Sequence, residues 1–234
     1  EETPLNGAGT VIAILDTGFD VNHDVFTLDT ENVKYDQDKF MYLLSNIGIC
    51  RNKEFTPTEL YKNQKILFTY DYAENDSDVL SKYCEHGTMV AGIASGSTEN
   101  IQSASNAYNS QLLMMKCSSD STETADSTVI LSAVEDSLIL GADVINISYG
   151  ETEILDSSFA ASFGEMFERI YNCGTAVVMP SGNFGTTNSE SIIENGTASP
   201  IASLPGVLSA ESVGNLDADS TSYVVESENG IDIR

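Results

Sequence analysis

Short apolar runs alternate along this chain with longer segments in which apolar residues recur every three or four positions. Six runs have the length and continuous apolar character of strands covered on both faces: residues 11–15, 66–70, 112–116, 144–148, 176–179 and 207–213. Helical spacing marks residues 127–140 and 158–172, each closely followed by a glycine, and a third helix begins at His86. The alternation predicts an α/β fold, with a mostly parallel sheet and helices on both faces.

The remaining segments are more polar. Residues 24–65 are long and mixed in character, which indicates a surface elaboration. Residues 183–199 are small and polar, as is typical of an exposed loop. After Asn215 a stretch of Asp, Ser and Thr has the composition of a linker, and a new strand-like run starts at Tyr223. We therefore divide the chain at residue 215, with residues 216–234 as a linker and the start of a further unit.

Composition narrows the function classes. With 41% hydrophobic residues, a chain of 234 residues can bury a core and is not a disordered chain. Its 36 acidic and 10 basic residues give a net charge of −26, so it lacks the basic patches that nucleic acid and anionic membranes need. No apolar run approaches the roughly 20 residues of a membrane helix. We expect no nucleic-acid partner and no membrane segment, and interpret the acidic surface as a solvated face.

The four cysteines include no Cys-x-x-Cys pair, which argues against a zinc cluster or a thioredoxin-type motif. Cys117 and Cys173 end apolar stretches and are predicted to be buried thiols. Cys50 and Cys84 lie in more polar surroundings, and the sequence leaves open whether they pair.

A carboxylate stands at the end of the first predicted strand. Asp16 follows the apolar run, and Gly18 permits an immediate turn. Catalytic groups of open α/β sheets gather at the carboxyl ends of the strands, where a partly desolvated carboxylate needs a partner such as an imidazolium. The alternative is that Asp16 only caps a turn. Asp-Thr-Gly also marks the aspartic proteases, but these need two such loops and the chain has one.

His86 opens a segment of helical spacing in which Gly87 and Ala91 are small enough to let the helix lie close to the sheet. A histidine at the start of a helix can point its ring toward the strand ends and act there as a general base. The other histidine, His23, lies in an acidic, turn-like stretch and is interpreted as a surface residue.

Asn183 follows the fifth predicted strand, within a stretch that contains Gly182 and Gly185. A side-chain amide at a strand end can donate to a developing oxyanion, and flanking glycines let a substrate carbonyl approach. The alternative is that Asn183 only shapes a loop.

Three motifs occur in the order of one family: Asp-Thr-Gly at 16–18, His-Gly-Thr-x-Val-Ala-Gly at 86–92 and Ser-Gly-Asn at 181–183. Together they resemble the subtilisin-like serine proteases, the subtilases. The resemblance covers roughly residues 7–215, so that residues 1–215 are the N-terminal part of a catalytic domain. It is greatest to the large cell-envelope proteinases of the lactocepin and complement-peptidase type, in which residues 216–234 correspond to the start of an inserted, protease-associated domain.

The resemblance implies a three-layer subtilisin-like architecture and a role for each matched residue. Asp16 orients the base, His86 is the general base and acid, and Asn183 donates to the oxyanion. The substrate backbone pairs with an extended edge, which is formed by Ser148, Tyr149 and Gly150. One wall of the primary specificity pocket follows the next strand and is formed by Pro180, Ser181 and Gly182. The implied substrate is a protein or peptide, the implied location is extracellular or at the cell surface, and no cofactor is required.

Two positions depart from the family pattern. Met89 stands where the family often has a second histidine, at a helical position that we interpret as structural. The motif around the nucleophilic serine is absent, and Ser181 is a poor substitute because no helix follows it. We therefore expect a serine endopeptidase whose serine lies on a missing continuation of the same gene product or on a separate C-terminal chain.

Two alternatives remain. A pseudoprotease used for binding or scaffolding explains the absent serine but not the intact Asp16, His86 and Asn183. A single-lobed aspartic protease that uses Asp16 requires a homodimer and leaves His86 without a role.

Three further expectations concern a loop and the chain ends. Residues 74–78 pack carboxylates and an amide into one loop, and the family often holds structural calcium in surface loops, although a solvated acidic turn is the alternative. The start at Glu1 is typical of a mature protein after removal of a leader or propeptide. The end after Arg234 suggests a trypsin-type nick that leaves two associated chains.

Overall fold

One parallel sheet organises the protein. The computed structural model describes residues 5–49, 55–97, 105–121, 124–149, 157–182 and 199–210. Within them, six strands form a sheet in the order β2-β3-β1-β4-β5-β6, and every pair is parallel. The strands are β1 Val11–Asp16, β2 Ile66–Asp71, β3 Gln111–Lys116, β4 Val144–Ile147, β5 Ala176–Pro180 and β6 Val207–Ala210. All six predicted strands are confirmed, the last as far as residue 210.

Helices cover both faces of the sheet, which confirms the predicted fold class. The helices are α1 Gln37–Asn46, α2 Pro57–Leu60, α3 His86–Ser95, α4 Ser127–Ile139 and α5 Ser157–Asn172. Strand β1 shows the layering, because its side chains alternate between two buried clusters. Ile12 and Ile14 pack with Ala91 of α3, whereas Ala13 and Leu15 share a cluster with residues of α4 and α5. The result is three layers: α3, the sheet, and the remaining helices.

The prediction of a surface elaboration over residues 24–65 was wrong for part of that segment. Helices α1 and α2 lie in it, and Phe40, Leu44 and Leu60 are buried in the larger core cluster. Asp36 caps α1 by accepting a hydrogen bond from the Lys39 N–H, at 2.8 Å. The sequence signal is weak because the apolar residues of α1 form one short run, residues 40–44, of which only Phe40 and Leu44 are buried.

The strand order places β1 in the middle of the sheet. Strands β3 and β4 are the two neighbours of β1 in the sheet. The connection from β3 to β4 therefore crosses over β1. In open α/β sheets, ligands bind outside the carboxyl ends of the strands where the order reverses. Asp16 is the last residue of β1 and therefore lies at that position.

The cysteine predictions were right in one case and wrong in another. Cys117 is fully buried, and burial raises the pKa of its thiol well above the ordinary value. Cys173 is exposed, because α5 ends at Asn172 and Gly174 turns the chain with a φ of +94°. Cys84 carries a free thiol, and Cys50 lies outside the described residues.

A buried lysine lies at the amino-terminal edge of the sheet. The ammonium of Lys65 donates to Ser95 Oγ at 2.6 Å, Tyr108 O at 2.8 Å and Ser110 O at 2.7 Å. All three acceptors are neutral, and desolvation lowers the pKa of Lys65 to about 7. The ordinary value of 10.5 applies in the unfolded chain.

This difference predicts how stability depends on pH. Between pH 7 and pH 10.5 the unfolded chain binds the proton that folded Lys65 has lost, so the free energy of unfolding rises with pH. The contribution approaches about 1.4 kcal/mol per pH unit. Denaturant unfolding at pH 7 to 9 should therefore show a steeper increase for the wild type than for Lys65→Met. Equal pH slopes for the two proteins would contradict the prediction.

Candidate active site

Asp16 is a fully buried carboxylate at the end of β1. Its Oδ1 accepts hydrogen bonds from the Thr17 N–H at 2.7 Å and the Thr17 hydroxyl at 3.2 Å, and lies 2.8 Å from His86 Nδ1. Among the described residues, Asp16 Oδ2 has no hydrogen-bond partner. The carboxylate is thus fixed in place and directed at the imidazole.

His86 is the first residue of α3, and 46% of its side chain is exposed. A carboxylate can only accept, so Nδ1 carries the proton that is shared with Asp16. In the neutral ring Nε2 then keeps a lone pair. A buried carboxylate that orients a solvent-accessible imidazole is the arrangement of a general base.

Close packing explains the glycines around this pair. A Cβ on Gly87 would lie 2.4 Å from Gly18 O and 3.0 Å from Asp16 Cβ, so only glycine fits there. Gly18 itself has a φ of +141°, a conformation that favours glycine. The Thr88 hydroxyl accepts the Asp20 N–H at 2.9 Å and ties α3 to the turn after β1. The two motifs are therefore in direct contact.

Other residues predicted from the resemblance lie at the same edge of the sheet. Ser148 follows β4 and donates its N–H to Leu15 O at 3.1 Å, beside the end of β1. Pro180 ends β5, and Ser181 follows it and donates its N–H to Ala210 O at 2.8 Å. Two predicted residues lie outside the described part of the chain, Gly150 and Asn183. The roles of all these residues remain predictions.

Tyr149 and Cys84 make contacts at the site that the sequence did not predict. The Tyr149 hydroxyl lies 2.8 Å from Ser118 Oγ, and burial raises the pKa of Tyr149 far above its ordinary value. The Cys84 Sγ lies 3.2 Å from Thr17 Oγ1, whose hydroxyl also donates to Asp16. The only sequence signal for Cys84 was its position two residues before His86.

The acidic loop that the sequence suggested as a calcium site uses its carboxylates within the protein. Asp76 Oδ1 accepts the Asp78 N–H at 2.9 Å, and Asp78 Oδ1 accepts the Leu80 N–H at 3.2 Å. Glu74 Oε1 accepts the Ser119 hydroxyl at 3.1 Å and the Asp120 N–H at 3.0 Å. In the described part of the chain, no three His, Cys, Asp or Glu side chains are placed to hold a metal ion. This loop therefore does not fit a calcium site in the observed conformation.

A buried aspartate that is hydrogen-bonded to an exposed histidine at the carboxyl end of a parallel α/β sheet is an arrangement found in hydrolases that activate a hydroxyl nucleophile. Comparison with known families agrees with this class, because the model of the Subtilase family matches residues 7–233. The chain belongs to the subtilase family.

The relatives confirm the resemblance found in the sequence. The PII-type proteinase of Lacticaseibacillus paracasei is 31% identical over 199 residues, which cover 78% of this chain and 10% of that protein. The C5a peptidase of Streptococcus pyogenes serotype M6 is 27% identical over 188 residues, or 78% of this chain and 15% of that protein. The chain therefore spans about a tenth of the length of the first relatives it matches.

The fold is also similar to a solved structure. The Clostridium perfringens CspB protease matches with a TM-score of 0.53 and 20% identity, over 78% of this chain and 37% of that protein. This similarity supports the subtilisin-like architecture. None of the described helices is long and apolar enough to cross a membrane.

Proposed function

We propose that this chain is the Asp-His half of a serine endopeptidase that hydrolyses peptide bonds through an acyl-enzyme. The nucleophilic serine comes from a continuation of the same polypeptide or from a separate chain. The observation that carries the proposal is the 2.8 Å contact between His86 Nδ1 and Asp16 Oδ1 at the carboxyl end of the sheet. Relatives described as proteinases and as a C5a peptidase support the same reaction class.

The geometry suits both proton transfers of this reaction. His86 Nε2 takes the proton of the serine hydroxyl as its oxygen attacks the scissile carbonyl, and then gives that proton to the leaving amine. In the second half of the reaction, His86 takes a proton from water as the water oxygen attacks the acyl-enzyme, and then returns a proton to the serine oxygen as it leaves. Asp16, which is buried, stabilises the imidazolium that forms in each step. Asn183 is the proposed donor to the oxyanion, and the chemistry requires no cofactor.

A largely apolar surface that the described residues leave half-buried supports the missing segment. Strands β4 and β5 alternate between buried and half-buried residues, and the half-buried ones, Val144, Asn146 and Val178 among them, share the α3 side of the sheet. On α3 itself, Met89 and Ile93 are 55% and 64% exposed. Because parallel sheets are normally covered on both faces, this surface is the proposed contact of the serine-bearing segment.

The position of that surface suits a serine-bearing segment. It lies beside α3, the helix that begins at His86, and it extends across the strands that end near Ser148 and Pro180. A helix packed there would bring its end to the same edge of the sheet as the His86 ring.

We also propose an extracellular or cell-surface location, in line with the relatives, and residues 216–234 as the start of an inserted domain.

A fluorophosphonate probe tests the proposed function in the full-length protein. The probe reacts with activated serines, so mass spectrometry of the labelled protein should find one modified serine, located outside these 234 residues. Heat-unfolded protein is the control and should remain unlabelled. The absence of any labelled serine in the folded protein would contradict the proposal and favour a pseudoprotease.

A further inference from the structure

Three charged residues end neighbouring strands of the sheet. Asp71, Lys116 and Asp16 are partners across β2, β3 and β1, so their side chains stand on the same face. Their exposed fractions are 1%, 1% and 0%. Two buried carboxylates and one buried amine therefore form a row at the carboxyl edge, and one end of the row is hydrogen-bonded to His86.

Lys116 has partners for all three of its ammonium protons. Its Nζ lies 2.5 Å from Asp71 Oδ2, 2.8 Å from Ser118 O and 3.1 Å from Asp120 Oδ1. Burial disfavours the ammonium, but the hydrogen bonds to the two carboxylates outweigh it and raise the pKa of Lys116 above the ordinary value. The side chain stays charged at neutral pH.

These contacts connect the loops on either side of the Asp16–His86 pair. Asp71 accepts two backbone N–H groups of the turn after β2 with its other oxygen. Asp120, in the loop after β3, also pairs with Lys82, and Lys82 lies in the loop that leads into α3 and His86. One ammonium therefore joins the turn after β2, the loop after β3 and the approach to the histidine.

The same residue reaches the strands that end at the proposed substrate edge. Ser118, whose carbonyl accepts from Lys116, places its hydroxyl 2.8 Å from the Tyr149 hydroxyl just after β4. The neighbouring Cys117 N–H donates to Asp16 O at 2.9 Å. Displacement of the loop after β3 would therefore disturb the hydrogen bonds to both Tyr149 and Asp16.

We propose that Lys116 is a positioning residue of the active site, and that its ammonium holds the rim of the substrate cleft around His86. The inference rests on the proposed function and adds to it the residue that fixes the peptide-binding rim. Without the amine, Asp71 would be a buried carboxylate with no cation, which is costly. Asp71 would take up a proton or turn toward water, and residues 118–121 would lose their anchor.

The test uses the full-length protease and three variants. Lys116→Met removes the charge and keeps an apolar stem, and Lys116→Arg keeps a cation. Lys65→Met is the matched control, because Lys65 is also a buried lysine, 2% exposed, but lies at the opposite edge of the sheet. Fluorophosphonate titration counts the active sites, so kcat and KM for a long peptide are corrected for any unfolded fraction.

We expect Lys116→Met to raise KM by about tenfold, with a smaller change in kcat per titrated site. Lys116→Arg should recover part of the loss, and Lys65→Met should keep both constants near the wild-type values. Equal constants for Lys116→Met and Lys65→Met would overturn the proposal, because the position of Lys116 beside the active site would then make no difference.

Hydrogen exchange separates this proposal from the proposed function, since it needs no activity. In Lys116→Met, amide exchange should accelerate in residues 71–85 and 118–121, and in Lys65→Met it should not. Unchanged exchange in these loops would overturn the positioning role, even in a protein that hydrolyses peptides. Failure of wild-type labelling would instead reject the serine endopeptidase.

Discussion

His86→Ala in the full-length protease is expected to lower kcat by about 10⁶-fold, a scale taken from removal of the histidine in subtilisin itself. The variant loses the group that takes and returns the proton, and Asp16 cannot substitute because it is fully buried. The free energy of unfolding should fall by only about 1–3 kcal/mol, the cost of removing one hydrogen bond to the buried Asp16 carboxylate. Steady-state hydrolysis and denaturant unfolding measure the two effects separately.

The other histidine supplies the control. His23 is exposed, and its Nδ1 accepts the Val25 N–H at 3.3 Å, away from the Asp16–His86 pair. His23→Ala should keep the wild-type kcat. If His86→Ala retained more than about 1% of the wild-type kcat, His86 would not be the general base.

Gly87→Ala should disrupt the same pair without changing any reacting group. Its Cβ would lie 2.4 Å from Gly18 O, and a backbone oxygen cannot rotate away as a side chain can. Helix α3 must therefore move away from the turn after β1, and a displacement of about 1 Å at the Asp16–His86 contact can cost on the order of 10² in rate. Overpacking of this kind also lowers the free energy of unfolding by about 1–3 kcal/mol.

Gly92→Ala is the matched control on the same helix. A Cβ at Gly92 would have Val25 Cγ2 as its nearest neighbour, at 3.7 Å, which is an ordinary contact. Alanine also favours the helix over glycine by about 0.5–1 kcal/mol, so this variant should be as stable as the wild type or more stable. Activity equal to the wild type in both variants would show that close packing at Gly87 does not set the geometry of the site.

The parts of the fold that the sequence predicted are those with local signals. Strand β1 is a continuous apolar run that ends in a carboxylate, and α3 begins at a histidine followed by small residues. Both are recognisable because parallel strands are buried on both faces and because close helix packing requires glycine. The contact between Asp16 and His86 was predicted because both motifs point to the same edge of the sheet.

The misses have physical reasons. Helix α1 contributes Phe40 and Leu44 to the core from a single apolar run, residues 40–44, which is too short to show a helical period. Cys173 follows an amphipathic helix and was expected to be buried, but it lies beyond the last helical residue and faces solvent.

The buried row of charges was also beyond prediction from the sequence. Asp71 and Lys116 are 45 residues apart along the chain and meet only because β2 and β3 are neighbours in the sheet. Each residue taken alone is a charged residue at the end of an apolar run. Strand order, which depends on long-range pairing, decides that these two charges are paired and buried.

The central claim is that Asp16 holds the His86 ring with its proton on Nδ1. Nitrogen-15 NMR of protein labelled at its histidine rings tests this directly, with the His86 signals assigned through His86→Ala. At a pH where the rings are neutral, His86 should carry its proton on Nδ1, whereas His23, whose Nδ1 accepts a backbone N–H, should carry it on Nε2. A neutral His86 ring protonated on Nε2, with a bare Nδ1, would contradict the account.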